Sequence, residues 1–123
     1  SARINLYDAH YNSTHIMGTT GGNTDDLKEA LRLSEAGATE PAVMVTHVGG
    51  LNSAANTILN LPKIPGGKKL IYNHITMPLT AIEDFACLAE KDARFGELYA
   101  ITKAHRGLWC TRAEAYLLAN WKG

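Results

Sequence analysis

Ala42-Val43-Met44-Val45-Thr46-His47-Val48-Gly49-Gly50-Leu51-Asn52-Ser53 decides the fold. A nearly continuous apolar run from Ala42 to Val48 ends on a glycine pair, the pattern of a strand buried on both faces rather than of a half-exposed edge. Asn52 or Ser53 is placed to cap a following helix, with Ala55, Ile58 and Leu59 on its inward face and Pro62 at its end. Pro65-Gly66-Gly67 then turns the chain into a further strand, Lys68-Lys69-Leu70-Ile71-Tyr72. Strand, helix, strand at this spacing is a crossover unit, and a crossover unit means α/β organisation with parallel pairing.

The same grammar extends upstream. Ser1 to Tyr11 shows no clean period and reads as an extended or looped lead-in. Ser13 to Gly18 is rich in β-branched residues and stopped by glycine, as a short buried strand would be. After the turn Thr19-Thr20-Gly21-Gly22, Asn23 can cap a helix whose first turn carries Asp25 and Asp26, favoured by the positive end of the helix dipole. Leu27, Ala30, Leu31 and Ser34 share one face of it, and Gly37 is the expected left-handed stop.

Downstream the pattern becomes helical. Thr80-Ala81-Ile82-Glu83 and Thr111-Arg112-Ala113-Glu114 both have capping-box spacing. The first predicts a helix with Ile82, Phe85, Ala86 and Ala89 inward, the second a helix with Ala115, Leu118 and Trp121 inward. Between them Asp92 caps a helix presenting Phe95, Leu98, Tyr99 and Thr102, with Gly107 as its stop. Trp109 and Trp121 are expected to pack in the core of this part rather than to form a sugar platform. The expected architecture is therefore α/β: a partial Rossmann-type unit, a short sheet with covering helices, over residues 1–78, and an α-helical C-terminal tail over 79–123 packed on it as one compact unit.

Composition excludes several function classes. The chain has 123 residues, 46% hydrophobic and 20% charged, with zero formal net charge. Nucleic-acid or membrane-surface binding needs a basic excess, so neither partner is expected. No apolar run approaches the roughly 20 residues of a membrane helix. Cys87 and Cys110 form no CxxC and read as reduced thiols of a cytoplasmic protein. A start at Ser1-Ala2 without Met is expected of a processed or cut chain.

The search for self-contained chemistry is mostly negative. Gly18-Thr19-Thr20-Gly21-Gly22-Asn23 joins a predicted strand to a predicted helix, where backbone N–H groups can meet an anion, but it is neither GxGxxG nor a Walker loop. His10, His15, His47, His74 and His105 have no metal-ligand spacing, and neither cysteine has a base nearby in sequence. His47 and His74 stand at strand C-terminal ends, where α/β proteins gather ligands, and so rank first among the weak candidates. No catalytic residue and no metal ligand is assigned.

The stretch from Thr46 to Tyr72, with the wording NLPKIPGGKKLIY near its end, resembles the closing segment of zinc-type medium-chain alcohol dehydrogenases. His15 to Leu27 is similar to that family's final Rossmann strand and the helix after it, and Leu79 to Trp121 looks most like the sorbose-1-phosphate reductase branch. The resemblance implies an NAD(P)-dependent, zinc-assisted oxidoreductase that interconverts a ketose (phosphate) and a polyol (phosphate), of which this chain is a C-terminal part. It implies that backbone groups at His15, Ile16 and Met17 hold the nicotinamide carboxamide, and that Lys68 or Lys69 reaches the cofactor diphosphate. It further implies that the GxGxxG turn and zinc ligands lie in a missing N-terminal part, that the substrate is a sugar or sugar phosphate, and that the whole enzyme is a homo-oligomer. The fragment itself is expected to be inactive, with no bound cofactor or zinc. The competing class is a free-standing α/β binding or regulatory module for a phosphosugar or a protein partner.

Overall fold

The computed structural model describes residues 4–15, 17–18 and 20–122. The chain divides into two compact units, Ser1–Ala38 and Thr39–Gly123.

In the first unit the expected strand from Ser13 to Gly18 is not formed: its described residues are turn or irregular and exposed, and Ile16 lies outside the described residues. A short β-branched run becomes a strand only when a neighbour takes its backbone groups. The lead-in holds a short helix instead, α1 (Leu6–Tyr11), because the Asn5 side chain accepts from the amides of Tyr7 and Asp8. Tyr7 and Tyr11, one helical turn apart, bring their ring centroids to 4.4 Å. The second helix, α2 (Thr24–Glu35), follows the sequence reading closely. Asn23 Oδ1 accepts from the amides of Asp25 and Asp26 while Asp26 accepts from the Asn23 amide, a reciprocal capping box. Gly37, with φ +68°, closes it in the left-handed region. On its apolar face Leu27 is 71% and Leu31 60% exposed.

The second unit is the α/β body. A 3₁₀ turn over Pro41–Met44 occupies the start of the apolar run, and the strand β1 is Val45–Gly50. The glycine pair is thus part of the strand and does not close it. After a second 3₁₀ turn come α3 (Ala54–Asn60) and the strand β2 (Lys68–Tyr72), parallel to β1 as the crossover reading requires. The third strand, β3 (Thr80–Ala81), is antiparallel to β1 at His47 and Val48. The sheet order is β2-β1-β3, a small mixed sheet with β1 in the middle.

β3 replaces the first expected capping box: Thr80 Oγ1 donates to the Pro78 carbonyl, and only a 3₁₀ turn and the one-turn helix α4 (Phe85–Leu88) follow. Residues from 79 onward therefore contribute to the sheet as well as to the helical cover. The helix α5 (Ala93–Ala104) is capped by Asp92, as expected, and α6 (Thr111–Asn120) starts at Cys110 with no side-chain cap. The inward face of α6 is Ala113, Leu117 and Trp121, not Ala115 and Leu118. Ala113, Leu117 and Trp121 recur every four residues and so share one stripe of the helix, from which Ala115 and Leu118 diverge.

One face of the sheet, through Val48 and Leu70, packs on α4, α5 and α6. Val48, Met77, Phe85, Leu98 and Leu117 are fully sealed, and the rings of Phe85, Phe95, Trp109 and Trp121 meet edge-on or tilted at 5.2–6.4 Å. Each large side chain so buried contributes roughly 1.5–3 kcal/mol. Both tryptophans are core residues, as the sequence indicates.

On the other face α3 behaves against its amphipathic reading. Ile58 and Leu59 are 71% and 80% exposed, and Ser53 and Thr57 are buried in their place. The cause lies in β1: a Cβ on Gly49 would stand 2.6 Å from Ser53 Oγ, so the helix approaches a bare backbone on which only small side chains fit.

Two glycines should respond in opposite directions. A Cβ on Gly50 would meet the Ile75 carbonyl oxygen at 2.3 Å, whereas on Gly96, inside α5, it would meet only the Ala89 Cβ at 3.7 Å. Gly50→Ala should destabilise the chain by about 1–3 kcal/mol or more through overpacking. Gly96→Ala should stabilise it by about 0.5–1 kcal/mol through lost unfolded-state freedom. Urea unfolding of both variants checks the pair of signs.

Candidate functional site

In open α/β sheets ligands gather outside the carboxyl ends of the strands. Here that end of β1 is crossed by the chain's own segment from Ile75 to Leu79. The Gly50 amide donates to the Met77 carbonyl at 2.9 Å, and the Met77 amide donates to Asn52 Oδ1 at 3.0 Å. Ser53 Oγ donates to the Gly50 carbonyl at 2.7 Å, and Thr57 Oγ1 to the Ser53 carbonyl at 2.8 Å. Asn52 and Ser53, read from sequence as helix caps, therefore work on this crossing instead. Ile75 and Met77 of the crossing segment are themselves buried. The glycine pair was visible in the sequence; its partner, the segment around Met77, carries no local signal of the contact.

The five residues assigned to the cofactor by resemblance fall in different units. His15 and Met17 are exposed in the first, and Ile16 is outside the described residues. Lys68 and Lys69 begin β2 in the second. Their ammonium groups differ sharply in availability. Lys69 Nζ donates to the carbonyls of Pro65, Gly66 and Gly67 at 2.7, 3.1 and 2.8 Å, so it fastens the turn before its own strand. Lys68 is exposed.

His47 pairs with Lys69 in the register of the parallel strands and opens on a cleft of about 340 Å³ shared with Pro65, Ile82, Glu83 and Leu108. Its Nδ1 lies 3.0 Å from Thr46 Oγ1. Burial, then the Lys69 charge, hold the imidazole below its ordinary pKa, against the opposing pull of Glu83 and Asp84. His74 is exposed in the turn after β2. On the core face the Trp109 indole donates to the Tyr72 hydroxyl at 3.3 Å, and burial pushes that hydroxyl's pKa upward. Trp121 lies under the Arg94 guanidinium, 4.4 Å from its ring centre, and offers no open face to a sugar. Among the described residues no group of three or more His, Cys, Asp or Glu side chains is placed to hold a metal ion. No helix among them is long and apolar enough to cross a membrane.

A parallel β–α–β pair with a helical cover is the build of a partial Rossmann-like unit, and the chain is similar to parts of longer proteins, two of them named for sugar phosphates. It is 56% identical over 115 residues to mannitol-1-phosphate 5-dehydrogenase of Aliivibrio fischeri (strain ATCC 700601 / ES114), a match covering 94% of this chain and 27% of that protein. It is 48% identical over 120 residues to L-sorbose 1-phosphate reductase of Klebsiella pneumoniae, covering 98% of this chain and 27% of that protein. It is also 56% identical over 118 residues to the uncharacterized protein YggP of Escherichia coli (strain K12), covering 96% of this chain and 28% of that protein. The resemblance to the sorbose-1-phosphate reductase branch is thereby borne out. The chain spans little more than a quarter of the length of these relatives. No family model matches it, and no solved structure does.

The His47 environment makes a signed prediction. Because its folded pKa lies below the ordinary 6.5, the unfolded chain takes up this proton first as pH falls. Its contribution to stability is complete above the unfolded pKa and is lost as pH drops through the folded one. An NMR titration should place the His47 midpoint below 6.5. His47→Gln should flatten the pH dependence of unfolding in that window; a midpoint at or above the ordinary value would contradict the burial argument.

Proposed function

We propose that this chain is a C-terminal part of an NAD(P)-dependent oxidoreductase that interconverts a ketose phosphate and a polyol phosphate. The observation that carries the reading is near-full-length similarity of the chain to two proteins named for sugar phosphates, one a dehydrogenase and one a reductase. In the reductive direction a hydride from the reduced nicotinamide adds to the carbonyl carbon, and the oxygen takes a proton, giving the alcohol and the oxidised cofactor. The chain's own part is to wall and position. Its Gly18-to-Asn23 turn lacks GxGxxG spacing, and the usual ligand crevice at the end of β1 is filled by its own backbone. The described residues therefore make neither a complete dinucleotide cradle nor a zinc site. We assign the remainder of the cradle, and any zinc ligands, to an N-terminal part of the polypeptide. The full-length enzyme is read as a cytoplasmic homo-oligomer.

The test is an absorbance assay of the full-length gene product. Mannitol 1-phosphate with NAD or NADP, or L-sorbose 1-phosphate with NADH or NADPH, should be turned over, and residues 1–123 alone should be inactive. Equal turnover of the unphosphorylated polyol, or none of either phosphate, would sink the reading.

Within that reading we assign the diphosphate contact to Lys68 and the carboxamide contacts to backbone at His15 to Met17. Lys69 is passed over because its ammonium is already held by three carbonyls. In the full-length enzyme Lys68→Ala should raise KM for the cofactor by roughly tenfold, the equivalent of about 1.4 kcal/mol, with kcat little changed. Unchanged cofactor KM in a folded, active variant would remove Lys68 from the site.

A further inference from the structure

Along β2, Leu70 joins the aromatic core while Ile71 turns to the opposite face, where it meets α3 across a groove of about 640 Å³. Leu51, Ile58, Leu61 and Ile64 line the same groove, and the first three are each half exposed or more. No charged residue occurs from Leu51 to Pro62, whereas α2 carries the ion pairs Lys28–Asp25 and Arg32–Glu29 on its open surface. A solvated helix keeps charge on its outer face. α3 turns its small polar residues to β1 and its aliphatic ones away from it, the arrangement of a middle layer. The sheet is open beside the groove as well: the order β2-β1-β3 leaves β2 with a single strand neighbour. An apolar groove next to an unpaired strand edge fits an added strand, whose backbone pairs with the edge while alternate side chains fill the groove.

We propose that this face of α3 and β2 is the seat of the polypeptide's own N-terminal part: an extended segment of it adds to the free edge of β2 and lays apolar side chains over Leu51, Ile58 and Leu61. The proposal rests on the functional reading above, by which the polypeptide continues N-terminally into the rest of the enzyme. The relatives extend beyond the matched region for nearly three quarters of their length, so there is ample chain to reach the groove. A tethered segment meets the groove at an effective concentration of about a millimolar, roughly a thousandfold above that of a second copy at micromolar concentration. The surface therefore goes to a segment of its own polypeptide before it goes to a partner that must diffuse to it.

The experiment compares the full-length protein with residues 1–123, both free of substrate and cofactor. Amide exchange over Leu70 to Tyr72 is followed by mass spectrometry in the wild-type chains, with exchange in α5 as the reference for overall stability. Maleimide labelling of an Ile58→Cys variant is compared with that of Cys87, which is exposed on α4. In the full-length protein, exchange in β2 relative to α5 should slow by roughly tenfold or more against residues 1–123. Labelling at position 58 should likewise fall well below that of Cys87, and both effects should persist through a hundredfold dilution. Equal β2 exchange in the two proteins overturns the proposal, whether fast, because nothing covers the groove, or slow, because the cover lies within residues 1–123. Protection that fades on dilution assigns the groove to a second copy and overturns it too. If Ile58→Cys does not fold, exchange in the wild type decides alone. A gene that encodes no chain before Ser1 overturns the functional reading and the docking together. A full-length protein that turns over neither sugar phosphate overturns only the activity, because neither readout of the docking needs turnover.

Discussion

At both ends of β1 the neighbouring chain closes in where a side chain on glycine would have no room. The Ile75 carbonyl would lie 2.3 Å from a Cβ on Gly50, Ser53 Oγ 2.6 Å from one on Gly49, and the Met44 carbonyl 2.4 Å from one on Gly67. Such distances leave glycine as the residue that fits without displacing backbone. From this constraint follow the close descent of α3 onto the sheet, the crossing of the strand end, and the return of the chain at β3 to the far side of β1. β1 is flanked by β2 and β3, so these glycines lie in the central strand of the sheet.

The opposite face is governed by volume. Trp109, Phe85, Phe95 and Trp121 form a continuous aromatic layer under α4, α5 and α6. The one polar group this layer brings to the sheet, the Trp109 indole, meets the Tyr72 hydroxyl at the end of β2. No buried side-chain nitrogen or oxygen among the described residues lacks a partner. A body with one bulky face and one bare face can hold its strand ends rigidly, because the aromatic layer resists compression from one side and the glycines admit backbone from the other.

How much of this was legible depends on the range of each signal. Local signals were readable: Asn23 and Asp92 as caps, Gly37 as a left-handed stop, and Lys68 to Tyr72 as a strand beginning after its turn. So was the βαβ crossover, since strand, helix and strand follow in sequence. Signals that need a distant partner misled. Ser13 to Gly18 has strand composition, but its described residues have no strand neighbour. Thr80 has capping-box spacing, but β1 was in reach and took residues 80 and 81 as a strand. Of the candidate site, Lys69 could not be ranked against Lys68 from sequence, because what distinguishes them is the ring of carbonyls from Pro65 to Gly67.

α3 carries the most instructive disagreement, because its period was read correctly and its facing was not. Ala55, Ile58 and Leu59 do share a side of the helix, and Ser53 and Thr57 do share another. Hydrophobic periodicity says which residues travel together; the surface opposite decides which group goes inward. Against ordinary strand side chains, the apolar set would gain most by burial, since each large aliphatic group is worth roughly 1.5–3 kcal/mol. Against Gly49 there are no side chains to meet, and an Ile or Leu would hold the helix too far from the strand for its neighbours to close. Ser53 and Thr57 fit the narrow gap, and each directs its hydroxyl to a backbone carbonyl, which removes the penalty of burying it. The glycine pair therefore reverses the helix that follows it: the residue that decides the orientation of α3 lies outside the helix, upstream in the strand.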